Sequence, residues 1–202
     1  MQSQLQHVAL RMLCTYALLT FLAFLWSGAY LELWLPLLRL ECASLLPKGF
    51  AIESLQLASA GNERLIALQV VTTDTLSYQL GTLASNVAVR STTLQAYALL
   101  HPVLTFTALA AWPAGSIPRR ATLLAFGVPC TLIATSLDIP FVLVGLVQDL
   151  VLQRFAPERL ASDWRTVYFT VLHSGGRLGL TLALALATAL VATRGGVRAS
   201  TS

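Results

Sequence analysis

Four long apolar stretches, Met12–Leu31, Thr93–Trp112, Ala121–Val147 and Thr166–Thr193, divide the chain. Each holds about 20 residues or more, enough for a helix to cross a hydrocarbon core roughly 30 Å thick. Backbone groups left unpaired in lipid cost several kcal/mol each, so these stretches are expected to be helices. Between the first and the second the pattern changes to period two. Leu76, Tyr78 and Leu80 alternate with Thr75, Ser77 and Gln79, and Ile66, Leu68 and Val70 alternate with Ala67 and Gln69. Such alternation marks half-buried strands. Ser59-Ala60-Gly61-Asn62-Glu63 is turn chemistry between two runs, and Asn86–Ser91 reads as a further short strand. Together these make about four strands of a small antiparallel sheet, which is marginal alone. It is expected to lean on the membrane surface, the helix ends or another protein.

The expected fold is an α-helical integral membrane protein, with four transmembrane helices and a small antiparallel β insertion outside the membrane between helices one and two. Residues 1–48 form a signal-anchor helix and an interfacial segment, 49–91 the sheet, 92–193 a three-helix membrane bundle, and 194–202 a cytoplasmic tail. The first helix has a weakly basic start (Arg11) and no suitable small-x-small cleavage site, so it reads as an uncleaved anchor. It is expected to bend through Pro36, with Trp26, Tyr30 and Trp34 at its outer end, where aromatic rings favour the interface. Leu33–Pro47 then reads as an amphipathic segment along the membrane surface. In the third stretch, Pro129 and Asp138-Ile139-Pro140 leave two arrangements open. Residues 121–155 form either one kinked helix, or a spanning helix of about 17 residues followed by an interfacial segment. Asp163 is placed to cap the fourth helix. The polar, glycine-containing tail from Gly195 is expected to be disordered.

Charge orients these helices. If all four stretches span, the N-terminus, the Pro113–Arg120 loop and the C-terminal tail share one side. That side carries Arg11, Arg119, Arg120, Arg194 and Arg198 and no acidic residue. The other side carries Glu32, Glu41, Glu53, Glu63, Asp74, Asp149, Glu158 and Asp163 among Arg and Lys. An excess of Lys and Arg in short loops marks the cytoplasmic face, so both termini are expected in the cytoplasm. A composition 56% hydrophobic and 11% charged is too apolar for an ordinary soluble domain. The net charge of +4 fits membrane orientation and anionic headgroups rather than nucleic acid, since no basic face with interleaved aromatics is offered.

The ionisable groups inside the apolar stretches are His101, Asp138, His173 and Arg177. An Asp or Arg at a helix centre costs roughly 2.5–3.5 kcal/mol on insertion scales, so such groups tend to face protein or water. Helices two, three and four can bring these four together as an intramembrane polar cluster. Asp138 with Arg177 is the favoured pair, set against the plainer alternative that Asp138 caps or ends a helix and Arg177 snorkels to the headgroups. His101 is expected to hydrogen-bond a neighbouring helix, and Ser174-Gly175-Gly176 to permit close packing. Cys14 and Cys130 read as small hydrophobes and Cys42 lies just outside the membrane. Cys130 with His101, His173 and Arg177 makes a weak thiol active site, because a nucleophilic Cys needs a base in reach. No catalytic, cofactor-binding or metal-binding residue is assigned.

The segments STTLQAYALLHPVLTFTALAAWP, GVPCTLIATSLDIPFVLVGLVQDLVLQ and LHSGGRLGLTLALALATAL follow an N-terminal helix and an outer sheet. In that layout, over roughly residues 12 to 193, the chain resembles the exosortase-H-associated membrane proteins encoded beside bacterial exosortases. Exosortases are envelope transpeptidases that use Cys, Arg and His, in that order along their chains. Arg177 here has no histidine after it, so no catalytic residue is carried over. The resemblance implies an accessory or scaffold protein of the bacterial inner membrane, with the lipid bilayer and a membrane partner, an exosortase-type transpeptidase, around it. Two other classes stand beside it: an intramembrane transpeptidase-like or transferase enzyme, and a small transporter or channel subunit. A poorly polar four-helix chain would need oligomers to form a pore.

Overall fold

The structure, a computed structural model, describes residues 2–113 and 116–198. Two compact units emerge: one from Met1–Ser27, Leu99–Thr135 and Arg177–Ser202, the other from Gly28–Ala98 and Ser136–Gly176. The chain passes from one unit to the other four times, and each passage falls within a helical stretch.

Helices dominate. The first, α1, runs unbroken over Gln2–Leu45 and includes Pro36. Residues 33–45, expected as a separate surface segment, therefore continue the same helix. A proline removes one donor from the ladder, and Leu31, Leu38 and Cys42 around it are buried in a core that holds this part of the helix in place. Likewise α3 is one helix over Ile117–Phe155 and takes in both Pro129 and Pro140, which settles the two arrangements left open for 121–155. The helix α2 covers Gln95–Ala111, 17 residues. It is shorter than the apolar stretch because Thr93 and Leu94 end a strand instead. Among the described residues, three stretches, Gln6–Leu45, Ile117–Phe155 and Trp164–Ala192, are long and apolar enough to cross a membrane.

The sheet belongs to the second unit. Strands β1 (Phe50–Ala60), β2 (Glu63–Thr72) and β5 (Ala88–Leu94) form an antiparallel sheet in the order β1-β2-β5. The expected turn is in place: Gly61-Asn62 links β1 to β2, with Gly61 at φ +59°, a conformation open to glycine at little cost. Alternation then does what the sequence pattern requires. Ile66, Leu68 and Val70 point to one face and are buried with Leu31, Leu38 and Cys42 of α1 and Ile139, Leu143 and Val147 of α3. The run at Leu76–Leu80 differs from expectation. It does not join this sheet but forms a separate hairpin of β3 (Leu76–Tyr78) and β4 (Gly81–Leu83). The Leu80 N–H donates to the Phe155 carbonyl (3.0 Å), and Tyr78 stacks on the Phe155 ring, so the hairpin is fastened to the end of α3.

After a 3-10 turn at Pro157–Arg159, α4 (Trp164–Val171) opens as expected at Asp163, whose carboxylate accepts the Arg165 and Thr166 N–H groups. A π-type turn at Leu172–Gly176, with Gly175 at φ +106°, then leads into α5 (Arg177–Arg198). Helix thus reaches Arg198 through residues expected to be disordered; 199–202, like 114–115 of the Pro113–Arg120 loop, lie outside the described residues. The first unit is built from helices and packs Leu109, Leu123 and Ala189 in its core.

Candidate functional site

Within the helical unit, three helices carry polar residues four apart, and all six are buried: His101 and Thr105 on α2, Thr131 and Thr135 on α3, Arg177 and Thr181 on α5. A spacing of four puts both members of each pair on one helix face. On α5 that face continues as Ala185 and Ala189, also buried, while Leu178, Leu182, Leu186 and Leu190 form an exposed row. The helix is therefore inverted, with its polar and small residues inside and its leucines outside.

Hydrogen bonds tie part of this polar set together. Thr181 Oγ1 donates to the Arg177 carbonyl (2.8 Å) and lies 2.7 Å from His101 Nδ1. A threonine hydroxyl has one proton. Since that proton goes to Arg177, His101 Nδ1 is placed to donate its own to Thr181. Thr131 and Thr135 turn their hydroxyls back onto the carbonyls of Val128 (2.7 Å) and Thr131 (2.8 Å). Gly127 lets α2 and α3 approach, because a Cβ there would meet Phe106 at 2.8 Å and Leu109 at 2.9 Å. In the same unit Cys130 lines a groove of about 220 Å³ with Phe126, Ile133, Leu184 and Thr188, an apolar setting for a thiol.

Of the four residues singled out in the sequence, His101 and Arg177 belong to this unit, joined through Thr181, and Asp138 and His173 belong to the other. Asp138 neither caps nor ends a helix; it is fully buried in mid-α3. Arg177 does not snorkel outward, being only 5% exposed. His173 is exposed at the π-type turn, beside the Phe169 ring (centroids 5.5 Å apart). It lines a groove of about 360 Å³ with Glu63, Thr92, Tyr97 and Val142. Gly145 sets that wall, since a Cβ on it would meet Phe169 Cβ at 2.6 Å and the Arg165 carbonyl at 3.0 Å. Thr105, Thr131, Thr135 and Thr181 were not singled out by sequence reasoning. Their signal is a threonine four residues from another polar residue within an apolar stretch.

A larger groove, about 530 Å³, lies in the sheet-bearing unit between the end of α3 (Leu150, Val151, Arg154), the start of β5 and the β3–β4 hairpin. One wall, the hairpin, carries Tyr78, whose phenol is pushed above its ordinary pKa by burial, with Arg159 acting weakly the other way. Among the described residues, no group of His, Cys, Asp and Glu is arranged to hold a metal ion. No protein-family model matches this chain, and no curated protein or solved structure does so either.

Proposed function

We propose that this chain is an accessory or scaffold subunit of a bacterial inner membrane. Four helical passages embed it with both termini cytoplasmic, and the sheet-bearing unit docks an envelope-processing partner of the exosortase type. One observation carries the membrane part of this reading. All nine acidic residues fall in the sheet-bearing unit, while the helical unit has Arg11, Arg119, Arg120, Arg177, Arg194 and Arg198 and no carboxylate. The two packed units thus sort the charges as short cytoplasmic loops and an outer domain would. The exposed leucines of α5 suit lipid rather than water. On this reading α2, although only 17 residues long, completes the count of four spans.

The docking part rests on the resemblance of the layout and on a sheet whose one face is used by α1 and α3 while its other face, with Glu53, Gln56 and Arg90, is turned outward. The enzyme alternative gains nothing from the surroundings of Cys130, whose groove is lined by apolar side chains and Thr188. Gentle detergent extraction of the tagged chain, with mass spectrometry of co-purifying proteins, tests the proposal. A stoichiometric membrane transpeptidase is expected; a clean monomer or homo-oligomer would refute the accessory role. Reporter fusions test the topology: a C-terminal fluorescent protein that stays dark would overturn the four-span arrangement.

A further inference from the structure

The sheet has two end strands, and they differ. β1 is interrupted by a bulge between Ile52 and Ser54, and Glu53 there accepts from Gln69 Nε2 (2.7 Å). Bulges and charges on an edge discourage pairing with another chain. β5, at the other end of the sheet, keeps one register with β2 from Leu94 opposite Leu65 to Ala88 opposite Val71. Its open side can be read from its neighbour. The Val87 carbonyl accepts the Thr72 N–H (3.1 Å), and the Val87 N–H donates to Thr72 Oγ1 (2.9 Å), so Val87 turns its backbone groups toward β2. Backbone direction alternates along a strand. Ala88 and Arg90 therefore present their N–H and C=O groups away from β2, and both residues are exposed.

Beside this open edge runs the groove of about 530 Å³. Val87, Ala88 and Val89 line one side and Leu150, Val151 and Arg154 the other. Leu150 and Val151 offer apolar contact, and Arg154 is the only charged lining residue among the described residues. Its guanidinium lies over the Phe155 ring, 5.7 Å from the centroid. A guanidinium stacked on a ring still has its in-plane N–H donors for a planar carboxylate.

We infer that the open edge of β5 and the last turns of α3 form a binding groove for an extended peptide bearing a carboxylate. The peptide adds to the sheet as a fourth strand, its backbone meets Ala88 and Arg90, and its alternate apolar side chains rest on Leu150 and Val151. Its carboxylate, a chain terminus or an acidic side chain, meets Arg154. This is strand addition at a sheet edge, where main-chain bonds give affinity and alternate side chains give selectivity. The inference rests on the reading of the sheet-bearing unit as the docking part of an accessory protein, and it names the partner's chemistry.

The test is a fluorescence-anisotropy titration of the detergent-solubilised full chain with a labelled heptapeptide of alternating valine and threonine ending in free aspartate. A matched peptide ending in asparagine amide is the neutral control, and one with an internal aspartate and an amidated end separates a side-chain carboxylate from a terminal one. Saturable binding of an acidic peptide is expected, with the neutral peptide and Arg154→Gln each weakening it about tenfold or more. Ala88→Pro removes an outward donor without breaking the ladder to β2 and is expected to abolish binding. Alternate backbone N-methylation of the peptide asks the same question without touching the protein's fold. Equal binding of acidic and neutral peptides, no binding at all, or full binding of the N-methylated peptide would overturn the inference. The wider docking reading is judged separately. A membrane partner retained by Ala88→Pro and Arg154→Gln would remove this groove and leave the docking reading standing; no partner with the unaltered chain would remove the docking reading, while the titration still decides the groove.

Discussion

Replacing Thr181 by valine isolates its side-chain bond to His101. The two side chains have nearly the same shape, so packing changes little, but the hydroxyl that accepts the His101 Nδ1 proton at 2.7 Å is lost. His101 is fully buried, so water cannot replace that acceptor. An orphaned buried donor costs about 1–3 kcal/mol in mutational series, and measured interhelical bonds in a membrane reference state lie lower, so roughly 1–2 kcal/mol is the expected loss. For a chain of this size each kcal/mol moves the melting temperature by about 2–4 °C. Thr181→Val should therefore melt roughly 2–8 °C below the unaltered protein. Thr181→Ser keeps the acceptor and should stay close to the unaltered value. In a His101→Leu background, where the donor is gone as well, Thr181→Val should be nearly neutral, because two apolar partners replace two polar ones. Thermal unfolding of the four detergent-purified variants completes the cycle. Equal losses for the valine and serine variants, or an undiminished loss in the leucine background, would show that the bond carries none of the effect.

Three further outcomes are expected. Gly145→Ala pushes a Cβ against Phe169 and the Arg165 carbonyl and should destabilise by about 1–3 kcal/mol, while Gly179→Ala, with nothing within 4 Å, should be neutral or stabilising; a Gly145→Ala melt at or above the unaltered value would refute the close α3–α4 approach. Asp163→Ala removes acceptors for two N–H groups at the start of α4 and should cost about 1 kcal/mol, with Asp163→Asn close to neutral; circular dichroism melts compare the two. Tyr78 has a raised folded pKa, so its contribution is fully present below the unfolded value near 10 and is lost as pH rises through the higher folded value. Stability curves above pH 10 should thus fall less steeply for Tyr78→Phe, and identical alkaline slopes would contradict the assignment.

What could be read from the sequence was local. Gly61-Asn62 announces its turn because φ > 0 is needed there, and Asp163 announces its helix because a carboxylate meets open N–H groups. The alternation of Ile66, Leu68 and Val70 gives the buried face of β2. Distant packing was not legible. Pro140 reads as a helix break, yet Ile139, Val142 and Leu143 around it are buried, and that packing keeps α3 continuous across the lost donor. Leu76–Leu80 alternates as convincingly as β2, but alternation does not say which strand it will pair with. His101 stood out as an ionisable residue in an apolar stretch, whereas Thr181 did not. Which hydroxyl faces a histidine 80 residues away depends on the rotation of α2 and α5 about their axes, which periodicity leaves undetermined.

The inversion of α5 bears on the environment of the helical unit more directly than hydropathy does. Leu178, Leu182, Leu186 and Leu190 are each exposed by about half, while Arg177, Thr181, Ala185 and Ala189 on another face are buried. A helix at a water-facing surface does the reverse, because apolar area removed from water is what drives its packing. The arrangement makes sense where the surroundings are as apolar as leucine and only polar or small side chains gain by facing protein. A second protein could supply such surroundings as well as lipid could. The charge distribution weighs against protein on every side, since basic residues without any carboxylate recur at the ends of the unit's apolar stretches, at Arg11, Arg119, Arg120 and Arg194. The proposed orientation in a bilayer would produce that bias, whereas a water-exposed surface ordinarily mixes both signs.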